Sequence, residues 1–275
     1  MSDYVNAAVG LGLPMADIRD EDAVPDKKVK ILKIIVLVLG ILLLAEGILY
    51  TVVMPCLSPA KMEYSGLRSL SVSEMNSVLR EASGSSWLSF DTAKAVSALS
   101  TVSCIENVSV DKHFPDKVRV IVHEREAVAK TIINAGGRAV PVQIDRMGVI
   151  FTSGSNVRKQ DYTVPLVSGL PLDDVQNGMR LPAKYRPLME QIAVLGALPQ
   201  TYFAAISEIQ VMPKAYGNFE LVLYPIHTKV KVLTDRSLDE EQLKYMMVAL
   251  DVVNSIDSNV GEIDLRYGSV SYRTR

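Results

Sequence analysis

Three histidines, two cysteines and scattered carboxylates are the residues of this chain that could do chemistry, and their spacing decides whether they do. A catalytic centre needs a nucleophile beside a base, a cluster of metal ligands, or a cradle for phosphate. His123-Glu124 opens like the H-E-x-x-H helix of zinc proteases, where two histidines one turn apart hold the metal and the glutamate serves as base. Ala127 stands where the second histidine belongs, and the segment alternates like a strand. His113 and His227 add no ligand spacing. Cys56 and Cys104 lack the paired spacing of a zinc site, and a disulfide between them is open in an oxidising compartment without being demanded by the sequence. Asp173-Asp174 reads as a solvated loop pair, because further oxygen ligands for a cation are not evident nearby. G-x-S-x-G, G-x-G-x-x-G and Walker-type loops do not occur in the sequence. The expectation is a non-enzymatic protein with no metal and no cofactor.

Charge and hydropathy point elsewhere. A formal net charge of -2 gives no support for a nucleic-acid partner, which would need a clustered basic surface. The apolar excess concentrates between Ile31 and Val53, and Ile34 to Val53 runs IIVLVLGILLLAEGILYTVV with Glu46 as its one charge. As a helix this stretch rises ~30 Å, the thickness of a bilayer's hydrocarbon core. Lys27, Lys28, Lys30 and Lys33 crowd its N-terminal side, against only Lys61 and Arg68 beyond it, so the tail is expected in the cytoplasm and the rest exported. The apolar run is longer than the core of a cleaved signal peptide, and Ser58-Pro59-Ala60 carries a proline where cleavage would fall. A retained anchor is therefore expected. Glu46 reads either as a contact to a partner helix within the membrane or as an acid that is protonated or reaches towards the headgroups.

These functional readings depend on the elements around them. Residues 1–30 read as a polar, acidic, disordered tail, 31–53 as the membrane helix and 54–61 as a linker. Glu63 to Leu70 reads as a short strand ending in a loop, with Gly66 as a turn or close-approach point. Ser71-Val72-Ser73-Glu74 is a capping box that starts one helix, and Asp91 caps a second. Val108 and Val110, then Val118, Val120 and Val122 after the Phe114-Pro115-Asp116 turn, alternate as two strands. Residues 62–124 thus form a β-α-α-β-β module. Beyond Arg125, short runs such as Val140–Ile144, Gly148–Phe151, Ser207–Pro213, Phe219–Tyr224 and Thr228–Leu233 read as strands of a larger, mainly antiparallel β domain spanning 125–273. Helical patterning occupies Pro187–Leu198 and Leu238–Val253. Gly261 to Arg273 reads as a final strand with a kink at Gly268. The fold class is α+β behind one transmembrane helix.

Several short motifs follow one another in this frame. His123-Glu124-Arg125-Glu126-Ala127-Val128-Ala129 looks like E-R-x-P-x-A with alanine where proline is usual, and Ile144–Phe151 like I-D-x-x-G-x-x-F. Pro165-Leu166-Val167-Ser168-Gly169 looks like P-x-[IL]-x-G, and Ile263-Asp264-Leu265-Arg266-Tyr267 like D-L-R-[FY]. In this order, behind the anchor and the β-α-α-β-β module, they resemble the FtsQ/DivIB family of bacterial cell-division proteins over nearly the whole chain. The unusually acidic tail and Ala127 depart from the family's pattern.

The resemblance implies a POTRA-type module at 62–124 and a β domain after it. It further implies a divisome scaffold in the inner membrane, located at the septum. Its β domain would bind an FtsB/FtsL-type subcomplex, and its POTRA module would engage other divisome components. The implied binding segment is Arg266, Tyr267, Gly268, Ser269, Val270, Ser271 and Tyr272, expected as an accessible edge strand that pairs with an FtsB-like strand. A POTRA-bearing secretion or envelope-assembly component is the alternative, but it would generally carry several such modules and a membrane barrel. A cell-wall-modifying enzyme would need the nucleophile or metal set that the sequence lacks.

Overall fold

The computed structural model describes residues 27–80, 84, 86–135, 137–152, 164–172, 176–198 and 206–275. The expected disordered tail up to residue 26 and Asp173-Asp174 lie outside them. The chain divides into two compact units, Met1–Met54 and Pro55–Arg275.

In the first unit, α1 runs from Lys27 to Ile48, before the expected start at Ile31. It passes through a π-helical turn, Leu49–Val53, into the short α2, Met54–Leu57. Thr51 Oγ1 donates to the Gly47 carbonyl at 2.7 Å within this stretch. Lys27–Leu57 is one apolar helix whose most hydrophobic window has mean hydropathy 2.6 with none of it buried. A single helix of that length and composition fits a single-pass membrane protein.

The second unit begins with a three-stranded sheet made of β1 (Lys61–Ser65), β2 (Ile105–His113) and β3 (Lys117–Glu124) in the order β1-β3-β2. β1 runs parallel to β3, and β2 antiparallel to it. Two helices, α3 (Val72–Leu79) and α4 (Thr92–Ser100), complete the module. The capping box of α3 forms as its sequence requires, with Ser71 and Glu74 satisfying each other's backbone N–H. The Asp91 carboxylate accepts from Ala93 N and Lys94 N at the start of α4. Met75, Leu79, Ala95, Leu99, Val118, Val120 and Val122 form the core, as the alternation in β3 requires. Gly66 has φ +84, and a Cβ there would lie 2.0 Å from the Val122 carbonyl oxygen, so the chain can leave β1 only through glycine.

Nine strands make the larger sheet: β4 (Ala127–Ala135), β5 (Arg138–Asp145), β6 (Ile150–Phe151), β7 (Leu166–Ser168), β8 (Ile206–Pro213), β9 (Phe219–Pro225), β10 (Lys231–Thr234), β11 (Val260–Asp264) and β12 (Ser271–Thr274). Their order is β12-β11-β10-β9-β8-β7-β4-β5-β6. Five of the eight pairings are antiparallel, and β10/β11, β7/β8 and β4/β7 are parallel. The apolar stripes of α5 (Arg186–Gly196) and α6 (Glu240–Ile256) enter one core with the sheet: Leu188, Met189 and Ile192 from α5, and Leu243, Met246, Leu250 and Val253 from α6.

One expectation is corrected. Gly261–Arg273 is not one kinked strand but a hairpin. Tyr267 and Gly268 take φ of 66 and 73, and these two consecutive left-handed residues reverse the chain between β11 and the antiparallel β12. The short strand expected within Glu63–Leu70, ending in a loop with its turn at Gly66, is β1, which starts at Lys61 and ends at Ser65 just before Gly66.

Candidate partner-binding edge

The junction between the two sheets is built from the histidine-glutamate segment that resembled a metal motif. Glu124 ends β3 and accepts from Arg68 N at 2.5 Å, Ser69 N at 2.7 Å, Ser69 Oγ at 2.6 Å and Leu70 N at 3.1 Å. Burial alone would raise its pKa, but the donors from Ser69, Arg68 and Leu70 outweigh it and hold the carboxyl below its ordinary range. Arg125 then ties Ser103 O at 2.9 Å to Asp145 Oδ2 at 2.6 Å. Asp145 in turn accepts from Val149 N at 2.7 Å. Phe151, from β6, is buried in the core of the three-stranded module. These acids and bases are spent on backbone and on each other. Among the described residues no group of His, Cys, Asp and Glu could hold a metal ion, and Cys56 and Cys104 are free thiols.

The two ends of the nine-stranded sheet differ. At the β6 end, Ile150 N donates to Met179 O at 2.8 Å, Gly178 N to Ile150 O at 2.7 Å and Leu181 N to Gly148 O at 2.7 Å, so segment 176–181 covers β6, whereas among the described residues no strand pairs with the outer side of β5 at Arg138–Val142. At the other end, no strand among the described residues pairs with the outer side of β12. The direction of its backbone groups follows from one bond. Arg275 N donates inward to Asn259 O at 3.0 Å. Because antiparallel strands alternate their hydrogen-bonding direction, Arg273 and Ser271 also face β11, and Tyr272 and Thr274 turn their N–H and C=O outward.

The turn beside this edge is held by charge. Arg266 Nε and Nη2 reach both oxygens of Asp264 at 2.8 and 2.5 Å, and its Nη1 reaches Glu220 Oε2 at 2.6 Å. Lys214 Nζ meets the same Glu220 oxygen at 2.9 Å. The Arg266 hydrogen bond is the main influence holding Asp264 below the usual carboxylate range. Burial opposes ionisation at Glu220, but the hydrogen bonds from Lys214 and Arg266 prevail and its pKa is lowered. The same two carboxylates raise the pKa of Arg266, so the guanidinium stays charged. The Arg266 guanidinium also lies 5.6 Å from the Tyr267 ring centroid. Tyr267 is 81% exposed, and Val270 and Tyr272 are exposed beside it.

Of the seven residues expected to form the edge, only Ser271 and Tyr272 belong to β12. Arg266, Tyr267 and Gly268 form the turn, and Ser269 and Val270 connect the two. Thr274, which the sequence reading left out, belongs to the edge; the only signal for it was the alternation continuing past Tyr272. Glu46 lies on α1, remote in sequence from this edge, in a helix with no buried residue.

Residues 57–125 match the family model of a POTRA domain, FtsQ-type. The match supports an FtsQ/DivIB-family assignment. It covers β1 to β3 with both helices, and it ends at Arg125, where the ion pair to Asp145 begins. FtsQ-type POTRA domains suggest a division-related scaffold role, and POTRA domains in general mediate protein–protein contacts. No curated protein matches the chain.

Proposed function

We propose that this chain is a non-enzymatic divisome scaffold, anchored by Lys27–Leu57 with its tail in the cytoplasm and acting at the septum. Its larger domain takes a strand from an FtsB/FtsL-like partner onto β12, its POTRA module contacts other divisome components, and Glu46 contacts a partner helix in the membrane. One observation supports the reading: among the described residues no strand pairs with the outer side of β12, beside a turn held by Arg266, whereas β6 is covered by segment 176–181. An added strand would gain main-chain hydrogen bonds from Tyr272 and Thr274, with Tyr267, Val270 and Tyr272 supplying side-chain contact.

Proline scanning of the full chain tests it, read as partner co-purification and affinity. Tyr272→Pro and Thr274→Pro each remove an outward donor and should weaken binding roughly tenfold, ~1.4 kcal/mol, with the domain still folded. Ser271→Pro removes an inward donor and should disturb the hairpin itself. Should both outward variants fold and bind with unchanged affinity, the contact lies elsewhere.

A further inference from the structure

The POTRA module carries an apolar cluster at its surface, in which Trp87 also packs against the module's core. Leu88 is 64% and Phe114 63% exposed. Trp87 is half-buried beside Phe114, its ring centroid 6.1 Å away in an edge-on arrangement. The cluster is rigidly held. Trp87 Nε1 donates to Lys117 O at 2.8 Å, and Lys112 Nζ lies 4.6 Å from the indole centroid. The same ammonium donates to Leu88 O at 3.1 Å and Phe90 O at 3.2 Å.

Its position along the chain is equally fixed. Trp87 N donates to Ser58 O at 2.9 Å, and Leu88 N to Cys56 O at 3.1 Å. Cys56 lies in the last turn of the apolar helix Lys27–Leu57, and Ser58 is the next residue beyond it. The cluster is therefore backbone-bonded to the point where the chain leaves its membrane-spanning segment, a placement that rests on reading that helix as the anchor.

We propose that Trp87, Leu88 and Phe114 dock into the headgroup–acyl boundary of the bilayer that the same chain spans. Tryptophan concentrates at this depth because its indole has an apolar body and a polar edge, and lysine beside it keeps its charge towards water. Covalent attachment keeps the cluster at high effective concentration at the membrane, so docking does not have to meet the cost of a free association. A protein partner would have to meet that cost, which is why lipid is the favoured occupant.

Trp87 is the sole tryptophan in the sequence and therefore the probe. The full chain, reconstituted in phosphatidylethanolamine and phosphatidylglycerol vesicles, is compared with lipids brominated near the headgroup and near the chain ends. Shallow bromines should quench Trp87 at least about twofold more than deep ones. A Leu88→Ser, Phe114→Ser double variant should lose more than about half of that quenching with an unchanged melting temperature, since both side chains are exposed. Equal emission with and without bromine would overturn docking and leave the cluster to water or a protein partner. Full quenching retained in the double variant would also overturn it, because the tether alone would then bring Trp87 to the lipid. If the double variant melts lower, Leu88→Ala and Phe114→Ala are read by the same two criteria.

Discussion

Arg266 and Glu220 meet at 2.6 Å across 46 residues of sequence. The pair links the β11–β12 turn to the start of β9, two strands away across the sheet. Tyr267, which takes a left-handed backbone conformation unfavourable for a bulky residue, is held between this ion pair and Gly268.

Glu220→Gln should therefore loosen the turn before it unfolds the domain. Both partners are largely shielded, at 17% and 18% side-chain exposure, so about 1 kcal/mol of local stability is at stake. Amide hydrogen exchange across residues 266–272 should accelerate several-fold with a nearly unchanged melting temperature. Exchange identical to the native chain would show that Arg266 needs only Asp264.

Val120→Asp tests the core of the POTRA module. Val120 is 0% exposed at the centre of β3, and an unpaired carboxylate there should cost several kcal/mol. Thermal unfolding should show a large fall in the transition. Lys117→Ala, by contrast, removes an exposed pair to Glu63 and should be nearly silent.

Glu124 is an acid whose titration the fold should feel. Its folded pKa lies below the ordinary value of 4.5, so it contributes stability that is fully present above that value. The contribution fades as pH falls from 4.5 through the lower folded value, where the carboxylate that holds Arg68, Ser69 and Leu70 becomes protonated. Glu124→Gln should cost ~1–3 kcal/mol at neutral pH and flatten the acid limb of the stability curve. Melting curves that differ equally at pH 7 and pH 3 would rule this out.

Orientation is tested by fusion. A reporter active only outside the cytoplasm, placed after Arg275, should be active because Lys27, Lys28, Lys30 and Lys33 hold the tail inside. New lysines just beyond Val53 should weaken that bias. An intact but inactive fusion would reverse the topology.

Much of this architecture was legible because local chemistry and tertiary environment agree. The Ser71–Glu74 box, the Asp91 cap and the valines of β3 each had one reading, and each is used that way. β4 was missed because its faces are not separated by hydropathy. Ala129, Thr131 and Ile133 are buried, Val128 is half-buried against the same core and the apolar Ile132 is exposed, so period-two alternation is blurred. The hairpin at Tyr267 was hidden for a different reason. A left-handed tyrosine has no propensity signal, and it is imposed by the Asp264, Arg266 and Glu220 contacts, the last of which is remote in sequence. His123 and Glu124 resembled a metal motif only as a string; the roles of Glu124 and Arg125 at the junction depend on Ser69, Ser103 and Asp145, which no local pattern connects.

The covered strand β6 bears on the stoichiometry of the proposed contact. With segment 176–181 seated on β6, a strand added as proposed would enter beside β12, one partner strand to each copy of that edge. Two copies meeting through β12 would form a symmetric pair and compete with that partner for the same backbone groups.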